Sequence, residues 1–466
     1  MNKPLLLISS LVFLIIISCK KDSFITSSDA KINFSSDTVH FDTVFVATGS
    51  ITQSVKIINS NNQKILLKDV KLMGGSNSVF KINIDGNSTT DASNIEIAAN
   101  DSIYIFVSVL VNPNNNNLPF ILQDSIQVAF NNNEKFIQLQ AYGQNAHFLR
   151  NEEIKSNTVW TNDLPYVILG GLQIDSGFSL TIQKGCNIYF HADAPLVVDG
   201  TLNVEGDNTS RVYFSGDRLD EPYKDFPASW PGIYFRENSK DNVLQFAVIK
   251  NAYQGVVAES LPSDANPKLT LNDCIINNVY DAAILGTQTN IIAENCLVSN
   301  CGKNIVLQYG GNYSFTNCTV ASYSNNFIAH SDPVLNISNY VSTSIGNLTA
   351  DLTANFINCI FWGSTGAVDN EVVASQQGTA NTFTINFDHS LWRMKNVPTN
   401  VTSSSMITVD PMFDSVDNVK MFYDFHLKAG SPAIDYGVLT GIPFDLDGNP
   451  RVSGSGTDLG CYEKQQ

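Results

Sequence analysis

The chain has 466 residues and a formal charge of −17, from 27 Lys and Arg against 44 Asp and Glu. An acidic balance of that size argues against polyanionic partners, nucleic acid included, and equally against anionic glycans. Only 15% of the residues are charged while Asn, Ser, Thr and β-branched residues are plentiful, which disfavours long helices and points to an all-β protein.

The N-terminus starts with Met1-Asn2-Lys3, stays almost wholly apolar from Pro4 to Ile17 and closes with Ser18-Cys19. A positive start, a short apolar run and a small residue make the pattern of a signal peptide. The run is about 14 residues, short of the roughly 20 that a helix needs to cross a bilayer, and no later segment is a better candidate. Ile16-Ile17-Ser18-Cys19 resembles a bacterial lipobox. That resemblance implies removal of residues 1–18 and acylation of Cys19, with membrane contact through this N-terminal lipid only; an ordinary cleaved signal with an incidental cysteine is the alternative. Lys20, where Asp would hold such a lipoprotein in the inner membrane, favours by the same resemblance the outer membrane, on its periplasmic or cell-surface face. Residues 19–30 read as anchor and linker. Seven cysteines remain besides Cys19, an odd number, so at least one stands outside any internal disulfide.

Over residues 31–145, short runs of alternating apolar and polar residues are broken by Asn, Gly and Asp. Val39-His40-Phe41-Asp42-Thr43-Val44, Ser54-Val55-Lys56-Ile57-Ile58-Asn59 and Ser102-Ile103-Tyr104-Ile105-Phe106-Val107 are the clearest. Such runs predict a β-sandwich of about seven strands. Their order, with the last main strand at Ile137-Gln138-Leu139, resembles immunoglobulin-like domains of the abnormal-spindle and major-sperm-protein type. That resemblance implies a spacer or binding module.

Residues 146–409 have a different texture, with very short apolar strands such as Leu180-Thr181-Ile182, Asn187-Ile188-Tyr189-Phe190 and Leu196-Val197-Val198 separated by Gly, Asn or Asp. Gly200-Thr201-Leu202 and Trp230-Pro231-Gly232-Ile233-Tyr234-Phe235 resemble the first coils of bacterial right-handed parallel β-helices, the pectate-lyase-like solenoid. Further on, Asn272-Asp273-Cys274, Glu294-Asn295-Cys296, Thr316-Asn317-Cys318 and Ile357-Asn358-Cys359 repeat one another at intervals of 22, 22 and 41 residues. Ala283-Ile284-Leu285, Ile305-Val306-Leu307 and Phe327-Ile328-Ala329 repeat at 22 as well. Two strand positions locked to one period predict a solenoid whose coils stack about 4.8 Å apart. The four cysteines then read as a column of small inward residues, opened by Ala247 and ended by Ser390. Disulfides between neighbouring coils are the second reading. Zinc is third, since no CxxC pair or suitably spaced His is present.

The C-terminal stretch, residues 410–466, carries Asp410-Pro411-Met412-Phe413, Phe425-His426-Leu427-Lys428-Ala429-Gly430-Ser431-Pro432-Ala433-Ile434-Asp435-Tyr436-Gly437, Asp445-Leu446-Asp447-Gly448-Asn449-Pro450-Arg451 and Asp458-Leu459-Gly460-Cys461-Tyr462-Glu463. These blocks resemble the end module of bacterial β-helix proteins of the choice-of-anchor Q type, which implies a β-helix before them and implies no reaction. An open solenoid end exposes strand edges and core, so a cap is expected there. Asp435, Asp445 and Asp447 offer oxygen ligands for calcium, the one cofactor considered. A turn paired with Arg451 is the competing reading, because the downstream bidentate Glu of an EF-hand is missing.

A lyase acting on uronic acids needs positive charge against the substrate carboxylate and a base at the sugar's α-proton. Between Asn251 and Leu391 there is no Arg, and the only lysines are Lys268 and Lys303. The 22-residue register places Glu259, Gly286, Gln308 and His330 on one outward column, with Ser260, Thr287, Tyr309 and Ser331 beside it. Glu259 and His330 then stand roughly 14 Å apart, too far for an acid–base pair. The face reads as a neutral-glycan surface with Tyr309 for stacking, against a plain solvated face. A second candidate is the loop from Gly216 to Trp230, where Asp217, Tyr223 and Trp230 place carboxylate beside aromatics; a solvated turn explains it as well. The reading is a surface or periplasmic lipoprotein that binds glycan or envelope, probed against the alternative of a polysaccharide lyase or glycoside hydrolase.

Overall fold

The computed structural model describes residues 23–45, 50–111, 120–344, 346–364 and 368–465. The expected anchor, Cys19, lies outside them. No helix among the described residues is long and apolar enough to cross a membrane. The chain divides into two compact units, Met1–Asn145 and Ala146–Gln466.

The first unit is a β-sandwich of two five-stranded sheets. One orders Ile32–Phe34, Gln53–Asn59, Ser102–Val109, Phe80–Ile84 and Asn87–Ser88; the other orders Thr38–Phe45, Asn133–Gln144, Phe120–Phe130, Ile65–Leu72 and Asp91–Ile97. Period-two alternation buries one face of each. Val55 and Ile57, Ile103, Ile105 and Val107, and Ile137 and Leu139 all point into the core, which the alternation demands.

The second unit is a parallel β-helix. Its 24 strands pair only with the coils before and after, and every pairing is parallel apart from isolated bridges and two small hairpins. Three sheets run along the axis. Sheet 1 stacks Leu196–Val198, Ile233–Phe235, Val256–Glu259, then the starts of Ala282–Glu294 and Lys303–Thr316, then Leu335–Ser338 and Val372–Ser375. Sheet 2 stacks Thr201–Glu205, Asn242–Gln245, Leu269–Asn272 and the later halves of the two long strands before Leu352–Ile357 and Phe383–Trp392. Sheet 3 stacks Val212–Gly216, Ala247–Lys250, Ile275–Asn277, Leu297–Ser299, Thr319–Ser322 and Ile360–Gly363. Inward columns fill the bore, for instance Leu196, Ile233, Val256, Ile284, Ile305, Leu335 and Val372, all fully buried. Where the bore holds Phe315, Phe356 and Phe387, their rings stack at 5.4 and 4.7 Å.

The corner from sheet 2 to sheet 3 explains the repeated Asn-Cys pair. Asp273, Asn295, Asn317 and Asn358 all adopt the left-handed conformation, with φ between 52° and 54°, which Asn and Asp tolerate better than other side chains. That single residue turns the chain sharply while the carbonyl before it keeps its ladder bond along the stack, Glu294 O accepting from Asp273 N at 2.9 Å and Thr316 O from Asn295 N at 3.0 Å. The following cysteine fills the inside of the turn: the thiols of Cys274, Cys296, Cys318 and Cys359 lie 3.3–3.4 Å from the carbonyls of Asn272, Glu294, Thr316 and Ile357. A small apolar side chain with a weak donor suits a dry corner. All four are buried and free. The pairings set Ala247 below Cys274 and Ser390 above Cys359, and Ser390 Oγ accepts from Cys359 N at 3.0 Å.

Two expectations fail in sheet 1. Phe327-Ile328-Ala329 is no strand; the next sheet-1 strand begins at Leu335, because residues 323–334 leave the coil as a loop. Glu259 is level with Thr287 rather than Gly286, and Thr287 with Gln308. The column is therefore Glu259, Thr287, Gln308 and Ser338, while Ser260, Gln288 and Tyr309 form the left-handed corner next to it, with φ of 65°, 49° and 56°.

The C-terminal residues do not close an end of the solenoid. They lie along its flank. Outward-facing Leu297, Ile360 and Leu391 on sheet 3 are buried against Phe413, Phe425, Leu446, Leu459 and Cys461. The corner asparagines serve as docking points. Asn295 Nδ2 donates to Phe444 O at 2.8 Å, Asn317 Nδ2 to Thr440 Oγ1 at 3.2 Å and Asn358 Nδ2 to Val438 O at 2.7 Å. Along the column Asn295 also bonds Asp273 at 3.0 Å, and Asn358 bonds Asn317 at 2.9 Å. The last strand, Thr402–Ile407, starts with Thr402-Ser403-Ser404-Ser405, a polar edge of the kind that discourages further pairing.

Replacing Asn317 by Ala removes a residue suited to the left-handed corner, a change of about 1–2 kcal/mol, along with its bonds to Thr440 and Asn358. A loss on the order of 2–3 kcal/mol is expected for the β-helix transition, read as a lower urea midpoint at unchanged slope. An unchanged midpoint would contradict the corner's role.

The flank also titrates. Burial pushes Glu463 up to about 7 from its ordinary 4.5, and hydrogen bonds to Asp447 and Asp424 raise His426 to about 9 from 6.5. In both cases the folded state holds its proton more tightly than the unfolded chain, so stability falls as pH rises. The fall runs from 4.5 to about 7 for Glu463 and from 6.5 to about 9 for His426. Amide protection over residues 443–463, corrected for intrinsic exchange, should decline from pH 5 to pH 9, and His426→Gln should remove the upper part of that decline. Protection that rises with pH would refute this linkage.

Candidate functional site

The outward side of sheet 1 presents parallel columns of side chains and is hollowed over its lower coils into a groove. Val197, Tyr234, Val257, Leu285 and Val306 follow one another through successive coils as a half-buried apolar column. Two residues further along each strand stand Asp199, Arg236, Glu259, Thr287 and Gln308. On the other margin the turns before the strands bring Tyr253 and Tyr280 together, 45% and 53% exposed, with rings stacked at 5.7 Å. On this same margin Asp281 accepts from Gln254 Nε2 and Lys303 Nζ at 3.0 Å each.

Two adjoining hollows mark the lower groove. One of about 620 Å³ is lined by Gln173, Phe178, Asp199, Arg236 and Glu259. The other, of about 390 Å³, is lined by Pro195, Val197, Tyr234, Val257 and again Arg236 and Glu259. Arg236 is held by a two-point ion pair with Asp199, its Nε donating to Oδ1 at 2.8 Å, and Gln173 Nε2 donates to the same carboxylate at 3.0 Å. Such paired geometry orients the guanidinium plane.

Beneath this group lies a fully buried lysine. Lys268 Nζ donates to Arg236 O at 2.9 Å and Glu237 O at 2.8 Å, so it holds the turn that carries Arg236. Burial lowers its ammonium to about 8, against the pull of Glu259 and Glu237.

The arrangement offers apolar contact, aromatic faces and many hydroxyl-compatible donors and acceptors. Its cations are matched, Arg236 by Asp199 and Lys303 by Asp281. The coils either side of Glu259 contribute Arg236 and Thr287. Asp199 is two coils away, roughly 9.6 Å along the stack, with Arg236 between. Within the column the two carboxylates are thus two coils apart, while Glu237 and Asp175 line the same hollow as Glu259.

Of the residues singled out in the sequence, Glu259 and Gln308 stand in the groove, and Gln308 Nε2 donates to Thr287 Oγ1 at 3.2 Å. Tyr309 is a half-buried corner residue. His330 is not on the column at all: it is buried against Glu371, Nε2 to Oε1 at 3.0 Å, in the loop that replaces the expected strand. A Cβ on Gly363 would come within 2.3 Å of both partners, so only glycine leaves room for the pair. Trp230 points into the bore, stacked on Phe190 at 4.4 Å with Nε1 donating to Lys250 O at 2.9 Å, and is unavailable to a ligand. Asp217 pairs with His191 at 2.8 Å, and burial raises its carboxyl. Tyr223 is exposed, yet the Arg218 guanidinium covers its ring at 4.0 Å. Residues 217–229 thus hold their aromatics and acids in internal contacts.

The three aspartates considered for calcium do not converge. Asp445 accepts from Asp447 N, Asn449 N and Glu463 N at 3.0, 2.7 and 2.9 Å; Asp447 pairs with His426 at 2.9 Å; Asp435 Oδ1 accepts from Gly456 N at 2.8 Å. Among the described residues, no group of three His, Cys, Asp or Glu is placed to hold a metal. Arg451 is buried beside Asn295 and lies 3.8 Å from Glu463.

No family model matches the chain, and no curated protein matches it. Among solved structures it is similar to pectate lyase Pel9A, at 13% identity over 69% of this chain and 88% of that one, with a TM-score of 0.31. It is also similar to a family 123 glycoside hydrolase from Clostridium perfringens, at 11% identity over 25% of this chain, with a TM-score of 0.17; the match spans 26% of the hydrolase. Overlaps this loose say nothing of what the groove holds, and the β-helix stands on its own strand pairings.

Lys268→Met would strip two buried carbonyls of a charged donor. The expected loss is on the order of 3 kcal/mol in chemical denaturation of the β-helix. A variant as stable as the parent would show that the turn at Arg236 does not depend on the lysine.

Proposed function

We propose that the protein is a cell-envelope lipoprotein, anchored through Cys19, whose β-sandwich serves as a spacer and whose β-helix binds a neutral glycan in the sheet-1 groove. The observation that carries this reading is the exposed Tyr253–Tyr280 stack facing a half-buried apolar column with paired polar groups on both margins. Sugar rings present apolar C–H faces and a rim of hydroxyls, and aromatic faces beside mixed donors and acceptors complement both. Matched cations and the surplus of acids at Asp199, Glu237 and Glu259 disfavour an anionic polymer. The groove runs along the stacking axis, so successive coils offer successive contacts to an extended chain.

Binding is favoured over cutting because the groove's arginine is matched by Asp199 and its lysine by Asp281, while Glu237 and Asp175, which share the lower hollow with Glu259, keep hydrolysis as the reading to be tested against it. A glycosidase needs two carboxyl groups flanking one bond, and a lyase of uronic acids needs unpaired positive charge. The test is retention of neutral and acidic polysaccharides by the intact chain, with release of new reducing or unsaturated ends followed in the same samples. Retention of a neutral polymer without new ends is expected. Tyr253→Ala combined with Tyr280→Ala should weaken that retention about tenfold or more, from the loss of two ring contacts. New ends that depend on Glu259 would replace binding with hydrolysis or elimination; retention unaffected by the tyrosines would remove the groove from consideration.

A further inference from the structure

The two hollows of the lower groove meet at Arg236 and Glu259, which line both. On one side of that junction the wall is apolar. Val197, Tyr234 and Val257 rise through three successive coils, flanked by Pro195 and Pro231. A proline has no backbone N–H, so neither offers a donor. Tyr234 Oη donates to Pro231 O at 3.0 Å, so its hydrogen is already spent on the protein. An apolar space of about 390 Å³ therefore opens directly beside two charged side chains.

Those side chains differ in how they are held. Asp199 takes up Nε and Nη2 of Arg236, and Lys268 secures from below the turn that carries it. The guanidinium is thus fixed in place while its Nη1, on a side chain 46% exposed, donates to none of the described residues. Glu259 stands one coil further on, exposed and with its carboxylate bonded to none of the described residues. Neighbouring coils are about 4.8 Å apart. A spare donor and a spare acceptor are therefore presented side by side at the mouth of an apolar hollow.

One sugar substituent combines the same three features. An acetamido group carries a methyl, a carbonyl that accepts and an N–H that donates, and it has no net charge. A plain hydroxyl would leave the apolar wall unused. A carboxylate or sulfate would meet Asp175, Glu237 and Glu259 across the junction, and a free amine would suit those acids but bring no methyl. We propose, resting on the reading of the groove as a neutral-glycan surface, that this junction selects an N-acetylated amino sugar. Its methyl lies against Val197, Tyr234 and Val257, its carbonyl oxygen accepts from Arg236 Nη1, and its amide N–H donates to Glu259. Because the guanidinium is fixed beforehand, binding costs little further ordering.

The probes are paired methyl glycosides, glucose with N-acetylglucosamine and galactose with N-acetylgalactosamine, and the methyl glycoside of glucosamine as the cationic control, read by saturation-transfer NMR on the intact protein. In at least one pair the acetamido member should bind about tenfold tighter than its hydroxyl partner, through hydrogen bonds to charged groups and a buried methyl. Its acetyl methyl should receive the largest share of the saturation. Glu259→Leu, at an exposed position, should remove most of that preference, and Val257→Thr, nearly equal in size, should lower the methyl's share. Equal binding within both pairs, no binding by any probe, tighter binding of the glucosamine glycoside, or a preference indifferent to both substitutions would overturn the acetamido site. Polymer retention that depends on Tyr253 and Tyr280 is read separately and decides the groove, so the site can fail while the groove stands.

Discussion

Everything in the β-helix depends on one constraint: each coil must return to the same place so that its strands bond the strands beneath them. Parallel pairing sets the rise, and the rise leaves no room for a corner that opens wider in one coil than in the next. A single left-handed residue is the most compact way to turn an extended chain, which is why Asp or Asn recurs at Asp273, Asn295, Asn317 and Asn358. The cysteine after each one fills the inside of the turn with a small side chain whose thiol is within reach of the carbonyl two residues back. Phe246 and His389 occupy equivalent corners with φ of 48° and 42°, so at its ends the column tolerates residues less suited to the conformation.

The coils vary where the constraint is relaxed. Corners between sheets can be lengthened without disturbing the stack, since the strands on either side still find their partners. The insertion at residues 217–229 and the loop at 323–334 are such lengthened corners. They are fastened by asparagine amides or by a buried pair such as His330–Glu371, and they overhang the coils instead of interrupting them. The groove arises differently. It is the plain outward side of sheet 1, given chemical character by which residues happen to share a column and made rigid from below by Lys268.

The sandwich, the solenoid and the cysteine column were legible because alternation and a fixed interval survive in the residues themselves. Sheet 1 was harder to register. The interval from Val256 to Ile284 is 28 residues and that from Ile305 to Leu335 is 30, so a step of 27 from Glu259 put Gly286 for Thr287 and a step of 22 from Gln308 brought His330 onto a face it never reaches. Asp199 and Arg236 went unnoticed for a related reason: they are neighbours in space, yet the insertion after Gly216 sets them 37 positions apart. Trp230 showed the limit of composition. An aromatic among carboxylates looks like a sugar platform, and only its place at a strand start, facing the bore, reveals it as core. No sequence pattern distinguished Lys268 from an exposed lysine, because its burial follows from the two carbonyls that meet it.

The C-terminal segment follows every coil it covers in the chain, and it reaches from Arg211, whose guanidinium bonds Leu446 O at 2.6 Å, to Leu391 on the last full turn. Without that segment the solenoid carries an apolar flank with nothing over it. Once in place, it couples coils that otherwise touch only their nearest neighbours. A stack of this kind can unwind from an end, one turn at a time; a lateral strap obliges distant turns to let go together. The flank therefore converts a quasi-one-dimensional object into a cooperative one, whose covered coils all depend on a segment that follows them in the chain.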